Sequence, residues 1–154
     1  MTKKRKTGFW ILISMAVLLV GMLFLGQTLS LFDYDLAVEL GLQESVKEIG
    51  KIGIAYSRGF AFGDTVAYIP LLLIGIIGLL KRKPWGLYSL FGSLSITVYW
   101  PIIHLFTIYT ERTEITLTPD KMILFSIILP LVAIYGLWGM WYLVKNHEEL
   151  LRCS

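Results

Sequence analysis

The chain has 154 residues, of which 56% are hydrophobic and only 16% are charged, and its mean hydropathy is +0.69. Soluble domains are nearer a quarter charged, so this composition excludes a disordered chain and argues against a water-soluble globular domain. The single cysteine, Cys153, excludes an internal disulfide or a paired thiol centre. The length suits one domain, and we treat residues 1–154 as a single unit.

Four long apolar segments follow one another along the chain. A bilayer core about 30 Å thick requires roughly 20 mostly apolar residues in a helix that crosses it. The segments that satisfy this requirement are 8–31, 60–80, 84–109 and 121–144. The sequence therefore predicts an all-α integral membrane protein, built as a bundle of four transmembrane helices.

The first apolar segment follows a basic run at residues 3–6, as a secretory signal sequence would. It is longer than the usual hydrophobic region of a signal sequence, about 7–15 residues, and it ends without a small-x-small cleavage motif. We therefore expect a retained membrane anchor rather than a cleaved leader.

The outer loop, residues 32–59, is too long for a turn. Its apolar residues recur at loosely helical spacing between charged ones, which predicts one or two short amphipathic helices on the outer surface. Asp33 or Asp35 is expected to cap a helix, and Glu48 is expected to support Lys51 at i,i+3. The loop is interrupted by Gly41, Gly50 and Gly53. It is either a functional lid or a plain solvated connector.

The distribution of Lys and Arg predicts the orientation. With four spans, both termini share one side of the membrane with the turn at residues 81–83. That side carries nine of the fourteen basic residues and a net charge of +7, against −4 for the other side. We therefore predict a multi-pass protein of the cytoplasmic membrane with both termini in the cytoplasm and anionic lipid at its basic face. Nucleic acid is not a predicted partner, because no basic stripe with interleaved aromatic residues lies outside the membrane flanks.

Small residues mark the expected contacts between helices, since membrane helices associate by close packing. One of these patches is alternatively the face of a homo-oligomer. The glycines concerned are Gly59, Gly63, Gly75, Gly78, Gly86, Gly92, Gly136 and Gly139.

Polar residues of all four segments are predicted at one depth. Counting from each midpoint at 1.5 Å per residue places one such residue per segment roughly 10 Å outside the bilayer centre. An acidic side chain at this depth is costly, so Asp64 is expected to face the bundle interior or a water-filled cavity. His104 is its predicted partner, Arg58 is the competitor, and Tyr68 lies one turn below on the same face. The layer consists of Gln27, Asp64, His104 and Ser126.

Three interpretations of this polar layer stay open at the level of the sequence. It forms an outward-facing polar pocket, or Asp64 and His104 hold two helices together, or Asp64 pairs with Arg58 as an interfacial cap.

No catalytic residue, metal site or cofactor is predicted. A glycine-rich phosphate loop and a Cys-x-x-Cys pair are lacking, and His104 and His147 lie on opposite sides of the membrane. The favoured function is a binding or accessory protein whose pocket takes an apolar or amphipathic ligand or a membrane-protein partner. The alternatives are a small membrane enzyme acting on a lipid or isoprenoid and an oligomeric proton- or ion-coupled carrier.

Overall fold

The computed structural model describes residues 3–151, and the side chains of residues 7–151. Every regular element in this part of the chain is helical. Four of the helices are long and apolar enough to cross a membrane, which confirms the expected all-helical fold and the number of long apolar helices. The helices are α1 (3–32), α2 (Tyr34–Glu39), α3 (46–80), α4 (Pro84–Thr110) and α5 (Pro119–Leu151).

Two of the long helices contain a π-helical segment, in which an N–H bonds to the carbonyl five residues earlier. The segment of α1 is Phe24–Thr28 and that of α3 is Asp64–Tyr68. Pro70 follows the second segment and has no N–H to donate, so the usual helical ladder is already broken there. Each segment adds a residue to one turn of its helix. The side chains that follow in the chain therefore share a face with different residues than they would in a regular α-helix.

The outer loop is organised by helix caps. Asp33 Oδ1 accepts a hydrogen bond of 3.0 Å from the backbone N–H of Leu36, which confirms the predicted cap at the start of α2. Ser45 begins α3, where its backbone N–H donates to Glu48 Oε2 at 2.7 Å. Gly50 then interrupts the first turns of α3, because its φ of +69° is a left-handed conformation that favours glycine.

The bundle is arranged around α4, which packs along α3 on one side and α5 on the other. Helix α1 closes the bundle against α3, and it also contacts α5, where the Tyr135 hydroxyl donates to the Leu12 carbonyl at 2.9 Å. Leu12, Leu72, Leu90, Leu94 and Leu143 are completely buried and form much of the apolar core.

Glycines bring the helix backbones close together, as the small-residue pattern predicts. The backbones of α3 and α4 touch at Gly78 and Gly86, where a Cβ would overlap the neighbouring helix. The same holds at Gly75 against α4, and Gly136 and Gly139 of α5 likewise contact the other helices. By contrast, no described atom lies within 4 Å of a Cβ added at Gly59, Gly63 or Gly92, which face away from the bundle.

Candidate functional site

The two π segments meet in the half of the bundle that adjoins the loop at residues 32–59. They pack against each other, and the hydroxyls of Thr28 and Thr65 lie 3.1 Å apart in a hydrogen bond. Because α1 and α3 run in opposite directions, this contact places Gln27 and Asp64, the residues that precede the two threonines, about 3 Å apart in depth. Because π segments are frequently found at functional sites, their junction is a candidate binding site.

Side chains from outside the π segment of α1 satisfy its carbonyl groups. The Gln43 side chain, in the outer loop, donates to the carbonyl of Gly26 at 2.9 Å, and the Ser30 hydroxyl donates to that of Gln27 at 2.8 Å. Polar backbone groups in an apolar environment require such partners. Gln43 is therefore part of the site, although the sequence analysis did not single it out.

Asp64 is the acidic residue at this junction, and its carboxylate has no partner within the described part of the chain. The side chain is partly buried, and it forms neither a hydrogen bond nor an ion pair there. Arg58, its predicted competitor, is exposed and does not pair with it. The contact expected of an interfacial cap is thus not formed.

Tyr68 lies one turn below Asp64 and is almost completely buried, with 1% of its surface exposed. Its hydroxyl lies 2.5 Å from that of Thr97 on α4, and Thr97 in turn donates to the Ser93 carbonyl at 2.9 Å. The phenol lies within electrostatic range of Asp64 without a hydrogen bond between them. Tyr68 therefore joins α3 to α4 directly below the carboxylate.

His104 lies on an exposed part of α4 and is not bonded to Asp64. Its ring contacts Trp100 and Phe125 at centroid distances of 6.1 and 5.9 Å. The Tyr68–Thr97 bond explains the separation in depth. Four residues outward from that bond lie Asp64 on α3 and Pro101 on α4, so His104 is roughly 5 Å further out.

The remaining predicted residues, Gln27 and Ser126, belong to different contacts. The Gln27 side chain is half-buried beside the threonine bond. Ser126 shares a hydrogen bond of 2.7 Å with the Tyr109 hydroxyl and donates to the Met122 carbonyl. The structure thus packs the π segments that carry Gln27 and Asp64 against each other, whereas His104 contacts Phe125 on the helix that carries Ser126.

Trp100 is a site residue that the sequence analysis did not select. Its indole nitrogen is the only buried side-chain nitrogen or oxygen in the described residues without a hydrogen-bond partner. It lies near the Tyr68 hydroxyl, but outside hydrogen-bonding geometry. The Trp100 indole N–H, a donor without a partner, therefore lies close to Tyr68. The Asp64 carboxylate, an acceptor without a partner among the described residues, also lies close to Tyr68.

A polar clamp covers the outer end of the bundle. Lys121 Nζ, at the start of α5, lies 2.9 Å from Glu48 Oε2 and 3.4 Å from the Gln43 carbonyl oxygen. The Tyr34 hydroxyl donates to the Glu44 carbonyl at 3.0 Å. Gln43, Glu44 and Glu48 are all buried, so the loop is packed onto the helices rather than free in solvent.

No group of three His, Cys, Asp or Glu residues among the described side chains is placed to hold a metal ion. No protein-family model matches this chain, and neither a curated protein nor a solved structure matches it. Any function of the chain therefore has to be inferred from the site itself.

Proposed function

We propose that the chain is a multi-pass protein of the cytoplasmic membrane that binds an amphipathic ligand around Asp64 in its outer half. The four long apolar helices support insertion, and the excess of basic residues at the termini and at the 81–83 turn supports cytoplasmic termini. That basic face attracts anionic lipid in general.

The proposal depends above all on the partnerless carboxylate of Asp64. A charged side chain at the centre of a bilayer costs about 2.5–3.5 kcal/mol on insertion scales, and somewhat less towards the interface. The fold supplies partners to the carbonyls of Gly26 and Gln27 in the adjoining π segment of α1, but none among the described residues to the Asp64 carboxylate. A charged side chain in an apolar environment normally has a partner, and a residue for which the fold provides none is typical of a functional site.

The surroundings of Asp64 indicate the chemistry of the ligand. The carboxylate accepts hydrogen bonds, so it suits an ammonium or hydroxyl head group. The exposed apolar side chains Phe60 and Val66 lie on the same stretch of α3 and offer a surface to a hydrocarbon tail. An amphipathic molecule with a hydrogen-bond-donating head fits this combination.

The enzyme and the carrier remain alternatives without a comparable observation. Acid–base chemistry by Asp64 and His104 requires them to come within about 2.6–3.2 Å of the reacting proton, or one water away. No hydrogen bond or shared contact joins the two side chains among the described residues. The binding function requires Asp64 alone and is therefore the best supported.

Thermal unfolding of the purified protein in detergent, with oleylamine as the probe, tests the binding function. A ligand present at 100 times its Kd stabilises the folded state by about 2.7 kcal/mol. We expect oleylamine to raise the melting temperature of the wild type and of Asp35→Asn, which makes the same change at an exposed site. Asp64→Asn should lose the shift. Equal shifts in both variants, or a larger shift with oleate than with oleylamine, would contradict the proposal.

The orientation has an independent test. Alkaline phosphatase, which is active only outside the cytoplasm, is fused after Gly41 in one series and after Ser154 in another. We expect activity from the first fusion and none from the second. The opposite pattern would invert the assignment of the outer half, but it would leave the contacts of Asp64 unchanged.

A further inference from the structure

The side chain of Gln27 is a polar group at the junction of the π segments that the proposed function does not use. The backbone carbonyl of Gln27 accepts a hydrogen bond from Ser30, but its amide group has no partner among the described residues. The carboxylate of Asp64 likewise has none in this part of the chain. Polar groups away from water normally have a hydrogen-bond partner, so two without one on adjoining segments call for an explanation.

Helix geometry turns these two side chains to the same side. Helices α1 and α3 run in opposite directions and touch at the hydrogen bond between Thr28 and Thr65. Successive residues of an α-helix are rotated by about 100°, and somewhat less in a π turn. Viewed along one axis, the sense of this rotation is opposite in two antiparallel helices. The residues that precede the two threonines, Gln27 and Asp64, therefore point to the same side of the contact between α1 and α3.

That side faces the interior of the bundle, at the place where the packed core ends. One turn below Gln27 lies Leu23, which is 5% exposed and belongs to the apolar core. One turn below Asp64 lies Tyr68, whose hydroxyl bonds to Thr97 of α4. Gln27 and Asp64 continue these inward faces, yet both are only half-buried. Their partial exposure indicates an opening between α1, α3 and α4, in which a head group meets both side chains.

We propose that Gln27 and Asp64 together bind the head group of a long-chain amino alcohol, which rests on the proposed function of Asp64. The carboxylate of Asp64 only accepts hydrogen bonds, so it matches the donors of an ammonium group. The amide of Gln27 both donates and accepts, so it matches a hydroxyl group. An amino alcohol satisfies both side chains, whereas a simple amine leaves the amide without a partner. Gln27 thus determines the specificity of the site.

The other polar groups of the junction restrict the head group to these two contacts. The hydroxyls of Thr28 and Thr65 bond to each other, and Gln43 already donates to the carbonyl of Gly26. A sugar head group would leave most of its additional hydroxyls without partners. A phosphate head group would be repelled by the nearby carboxylate of Asp64. A small head with one ammonium and one hydroxyl group is therefore the best match.

Isothermal titration calorimetry of the full chain in detergent tests the role of Gln27 with two amines that differ by one group. The probes are dodecylamine and β-hydroxydodecylamine, which has a hydroxyl on the carbon next to the one that carries the amine. We expect the wild type to bind the hydroxylated amine about fivefold more tightly, the effect of one hydrogen bond. Gln27→Leu should abolish this preference and leave the affinity for dodecylamine unchanged.

Ser14→Ala is the control, because it removes an exposed hydroxyl from the other half of the same helix and should retain the preference. Partition of the amines into micelles is the same for every variant, so it cancels in the comparison. If Gln27→Leu does not fold, Gln27→Asn replaces it, and its shorter amide should weaken the preference.

The outcomes separate this inference from the proposed function. A wild type without the preference, or a preference that survives in Gln27→Leu, would overturn the role of Gln27 while the binding of amines by Asp64 still stands. Equal affinities of the wild type and Asp64→Asn for dodecylamine would overturn the proposed function and this inference together. Absence of binding of both amines to the wild type would have the same consequence.

Discussion

Replacement of Gly75 by alanine tests the close packing of α3 on α4. A Cβ at this position would lie 2.8 Å from the Cα, Cβ and N of Leu90, which is completely buried. Ordinary contacts begin at 3.4 Å, so the helices would have to separate by at least about 0.6 Å. The Gly78–Gly86 contact, one turn away, resists such a shift.

The expected change in the free energy of unfolding of Gly75→Ala follows from two opposing effects. Overpacking of this kind typically costs about 1–3 kcal/mol, whereas alanine is favoured over glycine in a helix by up to about 1 kcal/mol. We therefore expect Gly75→Ala to lower the free energy of unfolding by about 1–2 kcal/mol. Gly59→Ala, on the same helix with open space around it, should leave it unchanged or raise it by up to about 1 kcal/mol.

Reversible unfolding by titration of sodium dodecyl sulfate into mixed micelles measures both variants under the same conditions. The two changes in the free energy of unfolding should differ by about 1–3 kcal/mol, with Gly75→Ala the less stable protein. If the two substitutions change stability equally, the contact between α3 and α4 is not as close as the structure has it.

Two further variants test the outer loop. Lys121→Gln removes the ion pair with Glu48 and should lower stability by about 1–3 kcal/mol while amide exchange in the loop accelerates; Lys47→Gln, at an exposed site, is the control. Gly50→Ala forces an alanine into a left-handed conformation and should cost about 1–2 kcal/mol in the same unfolding assay, a loss absent from Gly59→Ala. Unchanged exchange in the first variant, or unchanged stability in the second, would show that the loop does not hold the helices as described.

The four long apolar helices could be predicted because the signal is local. Each apolar segment is long enough on its own, and the cap by Asp33 depends on residues only three apart. The start of α3 was harder to predict from the sequence. Residues 46–59 are amphipathic and resemble a separate surface helix, but they continue into the apolar segment as one helix after the break at Gly50.

The contacts of the site could not be predicted, because they join residues far apart in the chain. Glu48 was expected to support Lys51, yet Lys121 on α5 binds it instead, 73 residues away. Periodicity gives the depth of a residue and its face on a straight helix, but not which helix that face meets.

The π segments explain why the predicted partner of Asp64 was not found beside it. The depth count assumed regular α-helices, in which each residue rotates by about 100°. An added residue in a π turn therefore redirects the following side chains, and no feature of the local composition announces it. The Tyr68–Thr97 bond then fixes the register that leaves His104 further out than Asp64.

The stability of Asp64→Asn without any ligand tests the central claim most directly. If the carboxylate is kept for a ligand, its removal relieves an uncompensated charge, so the variant should be more stable than the wild type by about 1–3 kcal/mol while it loses the response to oleylamine. The SDS titration measures the first effect and the thermal shift measures the second. A variant that is less stable than the wild type would show that Asp64 holds the fold together, which contradicts the account.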